Sequence, residues 1–234
     1  DGSFDCVVPS SGGKDSAMVA HELKAKYNMH PLVVTWAPHI YTEIGRKNLT
    51  SFIDSGFDNI LITPNGAVHR KLTKAAFIEL GDPFQPFIFG QYSAPFRVAI
   101  QYKISIVMYG EDGEVEYGGS MEHADRASLS YDDFITNRFS SVFPESFEKY
   151  GITKEELSKY GLSKEELKKI KKLNIEQHFF SYYHKWIPQE NYYYSVENTG
   201  FEANPVRNEG TFSKYASLDD KLDGFHYYLA YIKF

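Results

Sequence analysis

The sequence predicts an α/β fold: a doubly wound, Rossmann-like parallel sheet with a small helical and aromatic C-terminal region. Through the first half, short apolar runs alternate with segments of helical spacing. A glycine-rich turn, Ser10-Ser11-Gly12-Gly13-Lys14-Asp15-Ser16, joins the first run to the first helical segment. After about Asp125 the alternation gives way to a charged stretch and then an aromatic one.

Phe4 to Val8 is the first expected strand, and Asp15 to Tyr27 the first helix, with Ala17, Met18, Ala20 and Leu23 on its apolar face. Pro31 to Trp36 suits a strand buried on both faces. A helix over Thr42 to Ser55 stops at Gly56, a strand covers Asn59 to Thr63, and Pro64-Asn65-Gly66 turns the chain. Ala67 to Leu80 returns to helical spacing. A loop marked by Gly81, Pro83, Pro86, Gly90 and Pro95 then leads to a helix near Phe96 to Lys103 and a strand over Ile104 to Tyr109. In such a sheet the ligand lies beyond the carboxyl ends of the strands.

Residues 149–158 recur almost intact at 159–168. Thr153 with Glu156, and Ser163 with Glu166, have the spacing of capping boxes, so two short charged helices follow, read as an inserted surface arm. Lys168, Lys169, Lys171 and Lys172 fit a solvated face better than a nucleic-acid site. An aromatic block spans Phe179 to Trp186, and Pro188 opens a helix ending near Gly200. Ser217 to Phe234 reads as a last helix with Ser217 as N-cap. The expected organisation is a nucleotide-binding domain over 1–125, a helical insertion over 126–175, and a region binding substrate or partner over 176–234.

Twenty-five basic against 31 acidic residues give a net charge of −6, which disfavours nucleic acid as a partner. No apolar run has membrane-spanning length and no signal peptide precedes the first strand, so a cytoplasmic protein is expected. The chain starts at Asp1 without methionine and reads as a fragment or a processed chain. Its single cysteine permits no internal disulfide and no Cys-x-x-Cys metal site. Cys6 itself falls in the first strand, as a small buried hydrophobe.

A strand ending in a glycine turn that opens a helix is a phosphate cradle. Glycine lets backbone approach an anion, and the first N–H groups of the helix point at it. The spacing is not that of a Walker A loop, because Asp15 follows Lys14 and the upstream glycine is missing. Ser-Gly-Gly-Lys-Asp-Ser (11–16) looks like the pyrophosphate loop (PP-loop) of ATP pyrophosphatases. The alternative is an ordinary turn, since Ser and Asp also favour helix starts.

Tyr109 to Gly119, Tyr-Gly-Glu-Asp-Gly-Glu-Val-Glu-Tyr-Gly-Gly, follows the fourth strand at the same sheet edge. It suits a magnesium and substrate loop, with Glu111 nearest the strand, or else an acidic hairpin around Asp112-Gly113. His178 and His184 look like packed side chains. Arg207 suits an anionic substrate group, because guanidinium grips phosphate or carboxylate bidentately. Asp219, Asp220 and Asp223 are either functional or simply matched to a helix dipole.

With both loops placed, the chain resembles the N-acetyl sugar amidotransferase branch of the PP-loop superfamily. The resemblance rests on residues 11–16, 109–119 and Gly-Thr-Phe-Ser-Lys-Tyr-Ala-Ser-Leu-Asp-Asp-Lys-Leu-Asp over 210–223. It implies ATP and Mg2+ as cofactors. The implied substrate is a nucleotide-activated sugar or nonulosonic acid whose acetamido group becomes an acetamidino group. It also implies ammonia from a separate glutaminase subunit, flanking chain with an upstream cysteine-rich segment, and a homodimer as one possible assembly. The reading thus assigns catalysis to Lys14, Asp15 and Glu111, and a metal to Asp15 and Glu111. Nucleotide contacts fall to Ser11, Gly12, Gly13, Asp15, Ser16, Val34, Trp36 and Gly110, with adenine near the last part of the second strand. Substrate contacts fall to Glu116, Tyr117, Arg207, Asp219 and Asp220. A tRNA-modifying thiolase and a nucleotide-holding module without turnover are the alternatives.

Overall fold

The computed structural model describes residues 3–110, 128–129, 142–208 and 210–233, so the expectations for Glu111, Glu116 and Tyr117 lie outside the described residues. A parallel sheet is built from β1 (Cys6–Pro9), β2 (Pro31–Trp36), β3 (Asp58–Ile62), β4 (Ile106–Tyr109) and a strand over Glu176–Phe179. The two-residue β5 (Ser128–Leu129) adds an antiparallel edge to that last strand, β6. The order is β3-β2-β1-β4-β6-β5, so the chain moves outward from β1 in one direction and then returns to its other side at β4. The gap between the ends of β1 and β4 is therefore the topological switch point, where open α/β sheets bind ligands.

Alternate residues of the strands feed two cores, as the pleat requires. Val7, Leu32, Val34 and Val107 face α3 (Gly66–Leu80) and α4 (Gln85–Tyr102). Cys6, Val8, Val33 and Met108 face α1 (Lys14–Ala25) and Phe52 of α2 (Glu43–Asp54). Helices on both faces make the sheet doubly wound. At roughly 1.5–3 kcal/mol for each fully buried large apolar side chain, residues such as Met18, Phe52, Phe89 and Phe96 supply much of the driving force.

The early elements fall within two residues or so of their expected bounds, but α4 does not. It runs 18 residues through the segment expected to be a loop. Pro86 sits in the first turn, where its missing N–H costs nothing. Gly90 is required because a Cβ there would collide with the Trp36 indole. Pro95 breaks one helical bond, and the burial of Phe87, Phe89, Phe96 and Val98 around it offsets that loss.

The repeat is also placed differently. After a 3-10 helix over Pro144–Tyr150 come α5 (Lys154–Leu157) and α6 (Lys164–Leu173), each with its capping box formed. Phe147, Ile152, Leu157, Tyr160 and Ile170 nevertheless enter the larger core, so the segment is packed rather than a surface arm. Arg97 of α4 ties it down, donating to Glu166 at 2.8 Å, to the carbonyls of Lys159 and Ser158 at 2.7 and 2.6 Å, and to that of Gly161. Lys168, Lys169, Lys171 and Lys172 are exposed.

β6 was not expected as a strand, since it is short and carries Glu176, Gln177 and His178. It continues through a 3-10 turn to α7 (Pro188–Thr199). The last helix, α8 (Asp223–Lys233), starts six residues later than its sequence suggests. Ser217 is not its N-cap but stands in a left-handed conformation, φ 54°. Tertiary bonds win over the local helix signal here. Thr42 donates its hydroxyl to the Leu218 carbonyl and its N–H to that of Asp219 at 3.2 Å, and Tyr41 bridges to Asp220. Among the described residues no helix is long and apolar enough to cross a membrane.

Candidate active site at the switch point

β1 runs straight into the glycine loop. Ser10 donates its N–H to Val34 at 3.0 Å, and its hydroxyl accepts from Gly12 N–H at 3.1 Å while sharing a 2.7 Å bond with Ser16 Oγ. Thr35 holds the Ser10 carbonyl at 2.6 Å. Gly12 has φ 89°, and a Cβ there would lie 2.6 Å from Leu49 Cα, so conformation and space both demand glycine. Gly110, from the end of β4, is demanded too: its Cβ would reach 2.7 Å from Ser16 Cα. The two loops of the switch point thus touch.

Gly13 is different. Its φ of −67° suits any residue, and among the described residues a Cβ there would meet only Ser11 Oγ at 3.9 Å, so its bare face opens on space. It is the N-cap of α1 and offers no side-chain cap. Among the described residues no oxygen caps the first N–H groups of α1, which open beside the cleft, the electrostatic setting for an anion. Lys14, 7 % exposed, ion-pairs with the Asp15 carboxylate and lies 5.4 Å from the centre of the Tyr215 ring.

The cleft holds about 540 Å³. It brings together the residues expected to contact nucleotide, Ser11, Gly12, Gly13, Asp15, Ser16, Val34, Trp36 and Gly110, and with them Lys14, expected to act in catalysis. Aromatic walls come from Phe87, Tyr109, Trp186, Phe201 and Tyr227. Trp36 Nε1 is buried and has no hydrogen-bond partner among the described residues. At the mouth Phe212 is 80 % exposed and Tyr215 stacks on Tyr192 with ring centres 4.6 Å apart.

Of the expected substrate residues, Asp219 lines the cleft, as Ser11 does. Burial raises its pKa, with Asp220 adding to the rise and Ser11 opposing it. Burial and the Asp219 charge likewise hold Asp223 well above the ordinary carboxylate range. Asp220 does not line the cleft. It is buried, and accepts from His39 Nδ1 at 3.0 Å and from the N–H groups of His39, Ile40 and Leu222, which makes it a staple between two loops rather than a substrate contact. Arg207 is exposed and also stays outside the lining.

Three residues were missed: Asn191, Ser195 and Tyr215. Asn191 Nδ2 donates to Asp15 Oδ1 at 2.9 Å, and Ser195 Oγ to the Lys14 carbonyl at 2.5 Å. They stand four apart on α7, a spacing too common among polar residues to single them out. Tyr215 falls within residues 210–223, where the sequence alone gives it no role. Cys6 is buried with its thiol pushed up to about 12, foremost by burial, so it is not reactive.

The residues suit a nucleotide with a divalent cation. Uncapped N–H donors, the open face of Gly13 and the Lys14 ammonium match phosphates. Among the described residues no group of three or more His, Cys, Asp or Glu is placed to hold a metal ion, so a cation here would take Asp15 together with phosphate oxygens and waters, as Mg2+ prefers.

No protein-family profile matches the chain, and no curated protein matches it. Among solved structures, NMN synthetase from Francisella tularensis is similar at 13 % identity and a TM-score of 0.38, over 88 % of this chain and 91 % of that one.

Proposed function

We propose that this is an ATP-dependent, adenylating enzyme of the PP-loop type, releasing AMP and pyrophosphate. One observation carries the reading: the uncapped start of α1, with the open face of Gly13 beside Lys14 and Asp15, lies in the switch-point cleft. The phosphates would lie over Ser11 to Ser16 and adenine beside Val34 and Trp36. Mg2+, held by Asp15, would neutralise phosphate charge. Lys14, already buried beside its carboxylate partner, would pair with the phosphates instead.

The finer proposal is a sugar amidotransferase, and it rests on the three sequence stretches that resemble that branch. An amide oxygen is a poor leaving group. Transfer of AMP to the acetamido oxygen, with loss of pyrophosphate, makes it displaceable; ammonia then adds to the amide carbon, AMP leaves, and an acetamidino group remains. Aromatic walls suit this chemistry, because water would hydrolyse the adenylate that ammonia must capture. The sole cysteine is buried and unreactive, which favours nitrogen over sulfur transfer and leaves glutamine hydrolysis to a separate subunit.

The test is product analysis by mass spectrometry, with ATP, Mg2+, ammonium at alkaline pH and a panel of nucleotide-activated acetamido sugars. AMP, pyrophosphate and a product 1 Da lighter than its sugar support the whole reading. ADP as product overturns it. AMP and pyrophosphate formed only with tRNA and a sulfur donor would keep the adenylation and replace the substrate. Nucleotide binding without turnover would leave a binding module.

A further inference from the structure

We propose that Asn191 is a positioning residue for Asp15, fixing one carboxylate oxygen so that the other alone faces the cation accompanying the nucleotide. This rests on the ATP reading above.

The buried face of α7 carries Asn191 and Ser195 against the first turn of α1, 3 % and 0 % exposed. Ser195 holds the Lys14 carbonyl and Asn191 holds Asp15 Oδ1. The same two helices are joined further along by His21 Nδ1 and Tyr194 Oη at 2.8 Å. Asp15 therefore has two differently committed oxygens. Oδ1 is bound by a packed amide that cannot leave without unseating α7. Oδ2 pairs with Lys14 Nζ, an ammonium on a flexible stem that arriving phosphates would draw away. Asparagine suits the task because it is a neutral donor. Lys or Arg at this place would neutralise the charge the cation needs, while an apolar residue would leave the carboxylate free to turn. Partners behind a ligating group commonly set metal affinity in this way.

The test uses the full chain and two variants, Asn191→Leu and Asn191→Ala; the second removes the amide without adding a branched side chain. Mn2+ binding is followed by electron paramagnetic resonance in the presence of α,β-methylene ATP, and binding of that analogue without metal is followed by calorimetry. The expected result is a loss in Mn2+ affinity of about 10- to 100-fold, with metal-free analogue binding within about twofold of wild type. Tyr194→Phe, which removes the bond to His21 further along the same helix pair, should lower the melting temperature and leave Mn2+ affinity unchanged. Unchanged Mn2+ affinity in a folded Asn191 variant, or equal loss of Mn2+ and metal-free analogue binding, overturns the inference alone. A wild-type protein that binds no analogue overturns the ATP reading, and this inference with it.

Discussion

At the start of α1 no side chain caps the helix, whereas at the starts of α5 and α6 the caps close on themselves. Thr153 and Ser163 accept from the N–H groups of Glu156 and Glu166, and both glutamates reach back to the N-cap amides. Elsewhere Thr42 caps α2, Asn65 caps α3, and α4 and α7 carry proline in the first turn. α1 has neither device. Its spare hydrogen-bonding capacity sits in a cleft, while the repeat has none to offer and packs into the core instead. Where a helix start is finished internally it serves stability, and where it is left open beside a cavity it can serve a ligand.

Asp15→Ala should break the open end most severely. Pyrophosphate release should fall on the order of 100-fold, the scale of losing one preorganised charged group in a site. The melting temperature should hardly move, since a first-turn carboxylate contributes only about 0.3–1 kcal/mol to its helix. Next comes the pair of glycines. Gly13→Ala should leave the fold intact and weaken ATP-analogue binding about tenfold or more, because its methyl takes the space the phosphates would use. Gly12→Ala should instead destabilise the protein by about 1–3 kcal/mol or more, from its φ of 89° and its contact with Leu49. Calorimetric binding and thermal melts together separate the two. If both glycines behave alike, the open face of Gly13 has no special meaning.

The closed region should answer to pH through stability and not through binding. His69 is buried against Tyr160 of the second repeat copy, with Nδ1 2.9 Å from Tyr160 Oη. Burial, helped by nearby His39, lowers its pKa to about 3. The unfolded chain takes up the proton near the ordinary value and the folded chain resists it, so stability falls as pH drops below about 6.5 toward 3. Between pH 6 and 5, wild type should lose about 1.4 kcal/mol per unit more than His69→Phe, measured by urea unfolding. The smallest effect belongs to the caps. Thr153→Ala or Ser163→Ala should cost about 1 kcal/mol and leave nucleotide binding untouched.

The glycine-loop half of this arrangement is legible because its signals are local. Gly12-Gly13 behind an apolar run fixes a turn, and the alternation of Val7, Val8, Leu32 and Val33 between two cores needs only a two-residue period. The misplaced elements were decided at long range. Gly90 and Pro95 read as loop punctuation until Trp36 is packed on the one and four apolar residues around the other. Ser217 to Asp219 reads as a helix start until Thr42 claims the carbonyls of Leu218 and Asp219. Asp220 looked like a substrate carboxylate because nothing in sequence announces that His39, 181 residues away, will consume it.

The bond from Asn191 to Asp15 spans 176 residues. During synthesis the glycine loop emerges among the first residues of this sequence, with β2 soon available on one side of β1. The other side of β1 must wait for β4, and the Asp15 carboxylate must wait for α7. Closing so long a loop is slow and its entropy is recovered only when the last contacts form. On the proposed ATP reading, the cleft is complete only after these late contacts, so nucleotide retention in a pulse-refolding experiment would report docking of α7 rather than formation of the first half.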